Sequence, residues 1–175
     1  MFTRRLILAF PLLIALAACS TTHVKQSKVY QAGEKAEYNG LTYSVVDVQI
    51  LPNLGDPANP RIPQNRFVVV QLSVSSSGNQ PVNIPATYLV DDAGKVYPEL
   101  ADGAGVPKWL GVLRNVEPAQ TESGHIVFDA PAAHYKLRLT DDGDEDDVFV
   151  DIPLNFVHEQ MNGTVVAPPD ATPRP

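Results

Sequence analysis

Two long stretches carry an apolar residue at every second position, a period that strands satisfy and helices do not. In LTYSVVDVQI (41–50), Leu41, Tyr43 and Val45 alternate with Thr42 and Ser44. Beyond them Val46, Val48 and Ile50 are apolar while Asp47 and Gln49 are polar. A one-residue slip of this kind turns a strand over unless an extra residue absorbs it, so a β-bulge is expected at Val45-Val46. In RFVVVQLSVS (66–75), Val68, Val70, Leu72 and Val74 form one apolar face. Phe67 and Val69 make the other face apolar as well at the start, which predicts a central strand. Asn39-Gly40 before the first stretch is a strong two-residue hairpin signal, because both positions accept positive φ.

The same logic extends along the chain. Tyr88–Val90 and Lys95–Tyr97 flank the turn Asp91-Asp92-Ala93-Gly94 and read as a hairpin. Pro81 to Pro85 is bounded by proline and reads as an edge strand or bridge. Strands are expected again from Gly124 to Asp129, at Tyr135, Leu137 and Leu139, and at Val148, Val150 and Ile152. Residues 52–65, with four prolines, form a long loop, and residues 98–120 a short helix or an irregular crossover. With no convincing amphipathic helix, about seven to eight short strands between turns predict an all-β fold, an antiparallel β-sandwich.

The N-terminus has a different character. Arg4 and Arg5 precede an apolar run, Leu6 to Ala18, that ends Leu16-Ala17-Ala18-Cys19. The run is shorter than the roughly 20 residues a spanning helix needs, and its small-residue exit is that of a secretory signal. The ending resembles the lipobox of bacterial lipoproteins, which implies diacylation of Cys19 on sulfur and a mature chain that starts there. Residues 1–18 are thus expected as a lipoprotein signal peptide, 19–33 as a flexible tether, 34–157 as the sandwich, and 158–175 as a flexible proline-rich tail. Ser20 rather than Asp after the cysteine resembles an outer-membrane sorting signal. It places the domain at the outer membrane facing the periplasm if the cell is Gram-negative.

Removal of Arg4 and Arg5 moves the formal charge from −7 to −9. An acidic chain is repelled by phosphate backbones and anionic lipid heads, so no nucleic-acid partner is expected and membrane attachment must come from acyl chains. Cys19 is the only cysteine, which leaves no disulfide or thiol chemistry.

The order NGLTYSVVDVQI…RFVVVQLSVSSSGNQPVNI…LVDDAGKVYP…VEPAQTESGHIVFDAP…YKLRLTD resembles a family of bacterial lipoprotein domains of unknown function. The family has an immunoglobulin-like fold and is related to secreted mycobacterial Ig-like antigens. Three pieces carry the likeness: Phe67–Val70 with the turn at Gly78-Asn79, Leu89–Tyr97, and Pro118–Gly124 leading to Val127–Pro131. It covers about residues 34–153. Where the family usually has Pro-Gly, this chain has Pro118-Ala119, so a different turn is expected there. The resemblance implies an immunoglobulin-like β-sandwich and brings no catalytic residues.

Candidate sites are few. Asp141-Asp142-Gly143-Asp144-Glu145-Asp146-Asp147 places six carboxylates in seven residues. Asp141, Asp142, Asp144 and Asp146 offer hard oxygen ligands for Ca²⁺, the basis of an alternative role as a Ca²⁺-dependent sensor. The spacing lacks the Gly and Glu of an EF-hand, and a solvated hairpin loop is the favoured explanation of the run. His23, His125, His134 and His158 show no local metal spacing and read as surface residues. Neither G-x-S-x-G nor S-x-x-K occurs, so neither an enzyme nor a cofactor is expected. Trp109, the one tryptophan, lies in the 98–120 segment near Lys108 and Arg114. It is either an aromatic anchor for a protein partner in the envelope, flanked by two cations, or a plug closing one end of the sandwich. The anchor reading expects Trp109→Ala to leave stability within about 1 kcal/mol. A non-catalytic binding or structural module on a lipid anchor is the role these features predict.

Overall fold

A computed structural model describes residues 26–140, 146–161 and 163–166. In chain order the strands are β1 (Ser27–Gln31), β2 (Ala36–Tyr38), β3 (Leu41–Leu51), β4 (Arg66–Ser76), β5 (Val82–Asn83) and β6 (Tyr88–Asp91). They continue with β7 (Val96–Pro98), β8 (Asn115–Val116), β9 (Thr121–Ala130), β10 (Tyr135–Arg138), β11 (Asp147–Ile152) and β12 (Val157–Glu159). One sheet runs β1-β11-β10-β6-β7. The other runs β12-β3-β4-β9 with β2 also paired to β3, and β5 pairs with β8. This is the all-β sandwich that the alternation predicts, with the immunoglobulin-like form that the family resemblance implies.

The main core lies between the sheets. Val68, Val70, Leu72 and Val74 of β4 meet Leu89, Leu137 and Val150 from the opposite sheet, with Ile126 and Phe128 from β9. Strand β4 sits between β3 and β9, as its two apolar faces require. The register of β3 against β4 shifts between Val45 and Asp47. Val46 is the extra residue of this bulge and points to solvent. The bulge returns Val48 and Ile50 to the core and sets Asp47, Gln49 and Leu51 on the outer face.

Four features depart from the sequence expectations. Residues 27–31, assigned above to the tether, form β1 in parallel register with β11, from Ser27 opposite Asp147 to Gln31 opposite Asp151. The segment is polar and largely exposed, so it carries no period of its own, and hydrogen bonding to the β11 edge makes it a strand. Residues 157–159 add β12 in parallel to β3, so the ordered structure runs into the expected tail. Both pairings are parallel, so the sandwich is not purely antiparallel. Several two- and three-residue strands raise the count to twelve among the described residues.

The fourth concerns Pro118-Ala119. Ala119 stands at φ 56, and the Gln120 N–H donates to the Glu117 carbonyl at 3.1 Å. The turn thus puts alanine in the left-handed position that glycine would occupy without strain. Ala119→Gly is expected to raise the unfolding free energy by about 1 kcal/mol, read from urea denaturation, since the strain costs about 1–2 kcal/mol and the freer unfolded chain returns part of it. A loss of stability instead would show that the turn is unstrained.

Candidate functional site

The crossover from β7 to β9 carries the residues singled out by sequence. Its first half covers the free edge of β9 by backbone hydrogen bonds. The Leu100 N–H donates to Val127 O at 2.8 Å, Leu110 N–H to His125 O at 3.0 Å, and His125 N–H to Lys108 O at 2.9 Å. The approach is close enough that a Cβ on Gly124 would lie 2.3 Å from the Lys108 carbonyl oxygen. Only glycine permits this docking.

Under the crossover is a second, smaller core on the outer face of the β3-β4-β9 sheet. Leu51, Leu54, Phe67, Val69, Val106 and Val127 form it, and Trp109 packs against them, half-buried. The indole rests on Gly103, where a Cβ would meet the ring at 2.1 Å. Trp109 is therefore placed as a plug, though on the sheet's outer face rather than at the end of the sandwich.

Arg114 is not available to a partner either. Its side chain is 4% exposed and that of Glu99 3% exposed, with Nη1 and Oε1 2.5 Å apart. Nη2 donates to Glu99 Oε2 at 2.8 Å and to the Pro85 carbonyl at 3.0 Å, while Nη1 also donates to the Gly111 carbonyl at 2.8 Å. Glu99 in turn accepts from the Thr87 hydroxyl at 3.0 Å. Of the three residues proposed from sequence, Lys108 alone is exposed. The cation expected at an interface is spent on bracing a loop.

The braced loop presents two residues that sequence reasoning passed over. Arg114 ties the Gly111 carbonyl three residues back, and Gly111 takes φ 77. The turn throws Val112 and Leu113 outward, 52% and 96% exposed. Apolar residues in an irregular segment read as core, and nothing local marks them as outward.

Of the histidines, His158 is exposed as expected, His23 lies outside the described residues, and the other two differ from expectation. His125 is buried under the crossover, with Nδ1 2.7 Å from the Pro107 carbonyl. His134 bridges two carboxylates, Nδ1 to Asp92 at 2.7 Å and Nε2 to Asp151 at 2.9 Å. Asp92 first, then Asp151, holds its protonated form and raises its pKa against the opposing effect of burial. Asp141, Asp142 and Asp144 of the acidic run, and Cys19, lie outside the described residues. Asp146 accepts from the Gln26 N–H at 3.1 Å, and Asp147 from the Thr140 hydroxyl at 3.2 Å. These two carboxylates hold the entrance of β1 and the end of β10 in place.

The architecture defines the class: an all-β, immunoglobulin-like sandwich domain. Within that class the chain belongs to the family described as a domain of unknown function, DUF4352, whose model matches residues 30–147. No curated protein matches the chain. Among solved structures it is similar to MPT63, a secreted protein of Mycobacterium tuberculosis, with a TM-score of 0.56 at 14% identity, covering 72% of this chain and 98% of that one. It is also similar to YcdA, a candidate lipoprotein of Bacillus subtilis, with a TM-score of 0.52 at 18% identity, covering 71% of this chain and 39% of that one. An uncharacterized β-sandwich protein of Clostridium difficile gives a TM-score of 0.51 at 12% identity over 74% of this chain and 97% of that one. At these identities the likeness is one of fold.

Proposed function

We propose that this chain is a lipid-anchored envelope lipoprotein whose sandwich is a non-catalytic binding module, holding a protein partner through the Gly111–Leu113 tip. The observation that carries the binding role is Leu113, 96% exposed on a loop fixed by a buried ion pair. Burying a leucine side chain contributes about 1.5–3 kcal/mol, and a loop already held in shape loses little entropy on docking. The partner surface is an apolar pocket in a protein, because a mature chain of charge −9, without Arg4 and Arg5, is repelled by anionic lipid heads. The anchor is Cys19, supported by the lipobox-like exit and by Ser20 behind it. The outer membrane facing the periplasm is the site in a Gram-negative cell.

The test places a photo-crosslinker at Val112 in intact cells and follows both halves of the proposal. Leu113→Ser should weaken partner capture by about 2 kcal/mol, roughly thirtyfold, while stability moves by less than about 0.5 kcal/mol. Cys19→Ala should release the domain from the membrane fraction. Capture unchanged by Leu113→Ser removes the tip from the interface, and a Cys19→Ala chain that still sediments with membrane removes the anchor.

A further inference from the structure

Gln49 lies on the outer face of β3, 2% exposed, where the pattern of neighbouring strands would place an apolar residue over a second core. Its carboxamide is used on both sides. Oε1 accepts from the Val166 N–H at 2.9 Å, and Nε2 donates to the Val166 carbonyl and, at 2.6 Å, to Asp47 Oδ2. A carboxamide that gives one donor and one acceptor to the same residue copies the pairing of a neighbouring strand. It reads main chain without regard to side chain. Asp47, itself buried, fixes which way the carboxamide faces.

The segment held this way is the chain's own residues 163–166. Val165 packs against the second core. Gly163 passes so close to Asn53 that a Cβ would lie 2.8 Å from the Asn53 carbonyl oxygen and 2.0 Å from Oδ1. A cavity of about 210 Å³ continues alongside, between Gly163, Thr164 and the proline-rich loop at Pro57 and Pro60. The site therefore sets three demands: no side chain at one position, an apolar side chain two residues later, and a free N–H and C=O on the next.

Beside Gln49, a polar row continues across the sheet. Asp47 pairs in register with Gln71, Gln71 with His125, and Trp109 bridges to His125. Among the described residues Gln71 Oε1, His125 Nε2 and Trp109 Nε1 are buried without a hydrogen-bond partner. His125 Nδ1 faces a carbonyl and so donates, which leaves Nε2 as an acceptor in the neutral ring. The row thus offers two acceptors and one donor. Buried polar atoms of this kind are costly unless something pairs with them. Here they lie beneath the crossover, so the reading of main chain rests on Gln49 alone.

We propose that the outer face of the β3-β4-β9 sheet is a groove for an extended peptide of the pattern Gly-x-apolar-x, and that residues 163–166 occupy it in cis as a displaceable strap. The ligand in trans is an extended segment of a partner protein, whose main chain is read by the Gln49 carboxamide. The proposal is independent of the Leu113 tip and of the lipid anchor.

Trp109 is the single tryptophan and borders the groove, so its emission reports occupancy directly. The probe is a synthetic peptide with the sequence of residues 163–168, titrated into the full-length chain. Gly163→Val should expel the strap and admit the peptide with a saturable change in emission. The unaltered chain, whose tail competes at high local concentration, should need about tenfold more peptide or above. Gln49→Ala in the Gly163→Val background should abolish the change, as should valine at the first position of the peptide. Val165→Asp is the second way to expel the strap should Gly163→Val fail to fold, judged by cooperative melting. Folded, strap-free chain that shows no saturable change overturns the groove. Equal peptide affinity with and without the strap, or with and without Gln49, overturns the clamp.

Discussion

Arg114→Ala is expected to cost about 3–5 kcal/mol of unfolding free energy, measured from urea denaturation. The substitution removes a guanidinium that is 4% exposed and leaves Glu99, 3% exposed, as an uncompensated carboxylate. It also strips hydrogen bonds from the Pro85 and Gly111 carbonyls. Desolvated charges of this kind gain little over an apolar replacement as a pair, yet breaking one member is expensive because the other stays buried. Arg114→Lys tests the geometry, since lysine keeps the charge but cannot present a planar fork to both Glu99 oxygens and two carbonyls at once. It should recover only part of the loss. A change below about 1 kcal/mol for Arg114→Ala would mean that Glu99 finds water or another partner, and that the ion pair does not hold the loop.

Trp109→Ala is expected to cost about 3 kcal/mol, again from denaturant unfolding. The indole packs against the second core and lies on Gly103, so truncation opens a cavity that the surrounding backbone cannot close. This is the opposite of the outcome expected of an exposed anchor, for which stability would move by about 1 kcal/mol or less. A small effect would return Trp109 to the partner surface. Because Trp109 also borders the Gln49 groove, the measurement separates its packing role from its use as a reporter.

The two variants share a lesson about the crossover. Its composition, one tryptophan and two cations in an acidic chain, matches that of an interface centre, and on that basis all three residues point outward. The fold instead turns Trp109 and Arg114 inward and spends the charge of Arg114 on Glu99, fifteen residues earlier in sequence. Val112 and Leu113 reach solvent in their place, although their residue types argue for burial. Composition states what an irregular segment contains. The direction of each side chain depends on Lys108 at φ 47 and Gly111 at φ 77, and no periodicity encodes either angle.

The strands divide the same way. β3, β4, the β6-β7 hairpin and the bulge at Val46 were legible because a buried face imposes a period of two on the sequence itself. The chain alone also determined that the fold would be an all-β sandwich and that β4 would lie inside its sheet. Long-range pairing was decided by the tertiary structure alone. β1 and β12 are strands only because β11 and β3 offer them free edges, and their own residues bury little. His125 looked like a surface residue because it sits on the outward phase of β9, and the crossover then covered that phase. Gln49 looked like an ordinary outward polar residue of β3, until residues 163–166, more than a hundred positions away, came to lie on it. Local sequence fixes which face of a strand a residue is on. Whether that face meets water is set by whatever distant segment packs there.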